Sequence, residues 1–77
     1  MSKEELTEVS RQARLRWLSA VDNRDLGYRI LRVARRDKVK HDITVANSKL
    51  LDLQKAVHDT QAEWQQAQWE EDLAWRR

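Results

Sequence analysis

Apolar residues in the second half of the chain follow a heptad repeat that can be counted from Ile43. The a positions are Ile43, Leu50, Val57, Trp64 and Glu71, and the d positions are Ala46, Leu53, Thr60, Ala67 and Ala74. Because the a and d positions lie on one side of an α-helix, this segment predicts a long helix with a coiled-coil-like apolar stripe.

A second apolar stripe runs beside the first at steps of seven and four residues. It contains Leu51, His58, Ala62, Trp69 and Leu73. A helix that is apolar on two sides is buried from two directions. We therefore expect an earlier helix to cover one stripe and a second copy of the chain to cover the other. The candidate self-association residues are Ile43, Leu50, Leu51, Leu53, Val57, Trp64, Trp69 and Leu73.

The first segment predicts a helix over residues 3–21. Ser2 can cap its start, with Glu5 three residues later as in a capping box. Apolar residues then recur at helical steps from Leu6 to Ala20. Residues 22–27 collect Asn, Asp and the single glycine, Gly27, which are the residues that turns recruit. We therefore place the turn at residues 22–27.

The remaining segment predicts a helix over residues 28–75, kinked or broken near residues 41–48. Leu26, Ile30 and Val33 share one helical row. The alternative is a β-hairpin over residues 29–45, because residues 43–45 are a β-branched run. The residues between the two strands, 34–38, contain no Gly or Asn for a tight turn, so the helix is favoured. The 77 residues should thus form one small all-α domain, a dimeric helical hairpin or three-helix unit.

The composition excludes several classes of protein. The chain has no Cys and no Pro, so disulfide scaffolds, thiolate zinc sites and proline-rich chains are excluded. Two histidines are too few for a zinc site, and one glycine cannot build a phosphate-binding loop. We expect no enzyme activity, cofactor, metal or small-molecule substrate. The N-terminus lacks the apolar core of a signal peptide and no apolar run is long enough for a membrane span, so we expect a cytoplasmic protein.

The charge is distributed unevenly along the chain. Residues 11–40 hold ten Lys and Arg against three Asp, a net charge of +7, whereas residues 41–77 hold four basic and seven acidic residues, a net charge of −3. The basic part can meet a partner, or it can pair with the acidic part of its own fold. On a continuous helix Arg29, Arg32, Arg36 and Lys40 would form a row.

The candidate partner-binding residues are this basic run and one tryptophan. They are Arg29, Arg32, Arg35, Arg36, Lys38, Lys40 and Trp75. Arginine makes bidentate bonds with carboxylates and also contacts phosphates. Tryptophan near a chain end is a good anchor for a partner.

These features favour a small non-enzymatic regulator that binds and inhibits a larger protein with an acidic surface. Short helical chains without an active site are common among the accessory proteins of phages and plasmids. The alternative is a nucleic-acid-binding dimer that uses residues 29–40. The third interpretation is a structural coiled-coil scaffold.

Overall fold

The computed structural model describes residues 2–76, which form two α-helices, α1 (Lys3–Asp37) and α2 (Lys40–Arg76). The helices are antiparallel, because Trp75 lies beside Thr7 at one end and Ala46 packs near Leu31 at the other. The resulting helical hairpin measures 58 × 14 × 13 Å. The predicted all-α class is confirmed, and residues 2–76 contain no β-strand.

The start of α1 follows the capping pattern in the sequence. Ser2 is the N-cap, and its hydroxyl accepts a hydrogen bond from the Glu5 backbone N–H at 3.2 Å. Side-chain hydrogen bonds from Arg11 and then Gln12 to Glu8 lower the pKa of the Glu8 carboxyl. These contacts stabilise the first turns of α1.

The predicted turn over residues 22–27 is wrong, because α1 continues through all six residues. Gly27 is buried against α2. A Cβ atom at this position would lie 2.8 Å from Leu53 Cδ1 and 3.4 Å from Leu50 Cδ1. Glycine costs a helix about 1 kcal/mol relative to alanine. Here it lets the two helices approach closely, and the sequence pattern alone could not distinguish that role from a turn.

The chain instead reverses at Lys38 and Val39. Lys38 takes a left-handed conformation, with φ 57° and ψ 33°, and its backbone N–H donates to the Arg35 carbonyl at 3.2 Å. Helix α2 then runs without interruption through residues 41–48, so the predicted kink or break there is also wrong. The described chain therefore has two helices of nearly equal length rather than three.

A single seam of side chains joins the two helices. In α1 it follows alternating steps of four and three residues, through Leu6, Ser10, Ala13, Trp17, Ala20, Arg24, Gly27, Leu31 and Ala34, all buried or half-buried. In α2 it follows the predicted heptad, and all ten a and d positions from Ile43 to Ala74 are buried or half-buried. The heptad stripe is therefore covered by α1 of the same chain.

The seam matches small residues on α1 with large residues on α2. Gly27 packs against Leu50. Because the helices are antiparallel, a step of seven residues back from Gly27 matches a step of seven residues forward from Leu50, which places Ala20 opposite Val57. The opposite steps place Ala34 opposite Ile43. The small column of α1 therefore accommodates the large a residues of α2.

We expect Val57→Ala to lower the free energy of unfolding by about 1–3 kcal/mol, because it opens a cavity in the seam. Val57 is only 8% exposed. The matched control is Val45→Ala on the same helix, where the side chain is 40% exposed and the loss should stay below about 0.5 kcal/mol. Urea unfolding followed by circular dichroism measures both values. Equal losses for the two variants would contradict the seam.

We expect Lys38→Gly to raise the free energy of unfolding by about 0.5–1 kcal/mol, because glycine adopts the left-handed conformation without steric cost. Lys40→Gly is the control, since Lys40 begins α2 with ordinary helical geometry and glycine should destabilise it. Thermal unfolding of both variants tests the expectation. A loss of stability in Lys38→Gly would show that the left-handed turn residue is not a source of strain.

Candidate functional site

The six basic candidates cluster at the turn of the hairpin, and we name this cluster the basic end. It comprises Arg29, Arg32, Arg35, Arg36, Lys38 and Lys40, all of them exposed. Arg36 Nε lies 3.6 Å from Asp37 Oδ1. The predicted row of four cations ends at Arg36, because α1 stops at Asp37 and Lys40 begins α2.

The position of the turn concentrates positive charge at one end of the molecule. Residues 28–49 surround the turn and hold seven Lys and Arg against two Asp, a net charge of +5. The acidic residues near the C-terminus lie at the opposite end, beside the first half of α1. Among residues 2–76, the ion pair that joins the two helices is Arg16 with Glu63, at 3.7 Å. The pairing of the basic part with the acidic part that the sequence raised as an alternative therefore occurs at Arg16 and Glu63, whereas the basic end lies away from the acidic C-terminal residues.

An apolar groove opens between α1 and α2 next to the basic end, and we call it the turn-end groove. It consists of two adjoining hollows that share Ile30, Ala46 and Lys49. The first hollow is completed by Asn23, Leu26, Gly27 and Leu53. The second is completed by Val33, Ala34, Asp37, His41, Asp42 and Val45.

The turn-end groove is open because its walls are large and its floor is small. Leu26, Ile30, Val33 and Val45 form the walls and remain exposed, although they are apolar. The floor includes Gly27, which has no side chain, and Ala34 and Ala46, whose side chains are single methyl groups, so space remains above them. The sequence placed Leu26, Ile30 and Val33 on one row, but it could not show that α2 brings Val45 beside them.

The tryptophans lie toward the other end of the hairpin. Trp17 and Trp64 stack across the seam, with ring centroids 5.1 Å apart. Trp75 Nε1 donates to Thr7 Oγ1 at 3.1 Å, and Lys3 Nζ lies 5.3 Å from the centroid of the Trp75 ring. Trp75, predicted as a partner anchor, therefore contacts α1 while its ring stays half exposed.

The self-association candidates divide into two groups. Five of them belong to the seam and are covered by α1, namely Ile43, Leu50, Leu53, Val57 and Trp64. Leu51 and Trp69 are exposed, and Leu73 is half-buried. Surface for a second copy therefore remains at the outer residues and not at the heptad stripe.

No family model matches the chain, and comparisons with curated proteins and with solved structures gave no match either. Residues 2–76 contain no group of three His, Cys, Asp or Glu side chains arranged to hold a metal ion. Neither helix of the described chain is long and apolar enough to cross a membrane.

We expect Trp75→Ala to lower the free energy of unfolding by about 0.5–1.5 kcal/mol, because it removes a hydrogen bond and a cation–π contact. Trp69→Ala is the matched control, because Trp69 is exposed to a similar degree, 58% compared with 55% for Trp75. Its effect should stay within about 0.5 kcal/mol. Hydrogen exchange should also accelerate in residues 3–10 of the Trp75 variant alone. Similar behaviour of both variants would show that the contact with Thr7 does not hold the ends together.

Proposed function

We propose that this chain is a small non-enzymatic helical protein that binds and inhibits a larger protein through its turn end. The observation that supports this is the turn-end groove, where four exposed apolar side chains lie beside the basic end. A contiguous apolar surface next to charged residues is typical of protein interaction sites.

The basic end contributes orientation and attraction for a partner with an acidic surface. Its six side chains are exposed, and arginine binds carboxylates in a bidentate geometry. Such complementarity accelerates association and selects the partner. A two-helix protein of this size acts by occupying a surface of its target, in the manner of small phage or plasmid accessory proteins in the cytoplasm.

Self-association is a second element of the proposal. Leu51 and Trp69 lie outside the seam and are exposed, so a second copy can pack there without opening the hairpin. A dimer would add buried apolar area to a fold that has only one seam. A purely structural scaffold would use the same outer residues and leave the basic end unused.

Nucleic acid is the second candidate partner, and the charge of the basic end favours it. Arg and Lys side chains that contact phosphates supply most of the affinity in such complexes. The turn-end groove does not contribute to that type of binding, because apolar side chains gain little from phosphates. This difference favours the protein partner.

Charge reversal at Arg32 and Arg36 tests the function. The full-length chain carrying Arg32→Glu and Arg36→Glu should retain its helix content, since both side chains are exposed. It should fail to capture the protein partner from nuclease-treated lysate. The control carries Arg14→Glu and Lys55→Glu, which make the same charge change at exposed positions outside the basic end.

The nucleic-acid alternative gives a different result in the same experiment. Nuclease would then remove all captured material from the unmodified chain. Binding to a DNA duplex would weaken with salt, and each lost phosphate contact would reduce the slope of log affinity against log salt concentration by about 0.9. Either result would contradict the protein-binding proposal.

A further inference from the structure

We propose that the turn-end groove binds an acidic amphipathic helix of the partner, with one apolar stripe flanked by Asp and Glu. This inference rests on the proposed function and adds the chemistry of the segment that is recognised. It follows from the shape of the groove, from the charge around it, and from the poor fit of a second copy.

The shape of the turn-end groove suits a helix lying along the hairpin axis. Its α1 wall extends from Asn23 to Asp37, which is about 21 Å at 1.5 Å per residue. A helix of about 14 residues has the same length. Apolar side chains at its three- and four-residue steps can enter between Ile30 and Val45, above the small floor residues.

The charge around the groove selects carboxylates on the incoming helix. Residues 28–49 carry a net charge of +5, and the field of this end attracts acidic segments. Arg29 and Arg36 each follow a wall residue, Leu26 and Val33, by three positions, so they flank the wall on the outer side of α1. Asp37 and Asp42 also line the groove, but Arg36 lies 3.6 Å from Asp37 and offsets its charge, and Lys49 contributes a positive charge to the same lining.

A second copy of the chain fits the groove poorly. The walls of the groove lie near the turn, so the grooves of two copies can contact each other only if the two turns lie side by side. That arrangement juxtaposes two ends that each carry a net charge of +5, which repel each other. If the two copies instead pack with their turns at opposite ends, the groove of one copy lies over Arg16 and Glu63 of the other. Both of these side chains are charged, so they do not complement an apolar groove.

Synthetic helical peptides of about 14 residues test the proposal directly. The probes share one leucine stripe and differ only in their flanking residues, which are Glu in one peptide and Lys in the other. Fluorescence anisotropy of the labelled peptides is measured as the full-length chain is titrated in. We expect the acidic peptide to bind at least about tenfold more tightly than the basic one, and more weakly as salt is raised.

One matched pair of single variants and one double variant locate the site. Ile30→Gln should weaken binding of the acidic peptide at least about tenfold, because it removes a central apolar contact. Leu15→Gln should leave binding unchanged, since Leu15 is equally exposed at 52% but lies outside the groove. Arg29→Glu with Arg36→Glu should shift the preference toward the basic peptide. Circular dichroism confirms that each variant keeps its helices.

Other results would overturn the inference in distinguishable ways. Tighter binding of the basic peptide would refute the acidic chemistry and leave the groove as a protein-binding site. A dimer of the unmodified chain that Ile30→Gln converts to a monomer would identify a second copy as the occupant. If neither peptide binds, and the unmodified chain and Ile30→Gln have the same molar mass in solution, the groove is not a helix-binding site. The proposed function is refuted separately, by loss of captured protein after nuclease treatment.

Discussion

The fold depends on the match between a column of small residues on α1 and a column of large residues on α2. Ala20, Gly27 and Ala34 recur every seven residues on α1, and Val57, Leu50 and Ile43 recur every seven on α2. Bringing the large side chains over the small ones buries apolar surface and lets the helix axes approach. Most other features of the molecule follow from the register that this match sets.

The register explains where the chain turns and where its charge lies. Gly27 can face Leu50 only if the chain reverses midway between them, at Lys38 and Val39. That reversal occurs without glycine, so the packing of the seam outweighs the strain of a left-handed lysine. It also places the basic residues at the tip and the acidic C-terminal residues at the opposite end. The electrostatic asymmetry is thus a consequence of the packing and not of local pairing.

A hairpin of two helices has only one seam, and this limits what it can bury. The seam already holds polar residues, including Ser10 and Arg24. Large apolar residues on the outer sides therefore remain exposed, among them Leu51, Trp69 and the walls of the turn-end groove. Such a surface is costly for an isolated small protein and useful for one that binds a partner. The proposed function gives these side chains a role that the hairpin by itself does not.

Local sequence patterns determined the helical class, the N-cap of α1 at Ser2 and the inward face of α2 from Ile43 to Ala74, because these depend on spacing within one helix. The role of Gly27, the turn at Lys38 and the turn-end groove were decided by the tertiary structure. A glycine beside Asn and Asp has the same local signature in a turn and at a close helix contact, and only Leu50 and Leu53 distinguish the two. The groove likewise needs Val45 and Ala46 from a helix that is remote in sequence from Ile30. Local propensities carry no information about which residues the opposite helix presents. The contacts between the two helices outweigh those propensities.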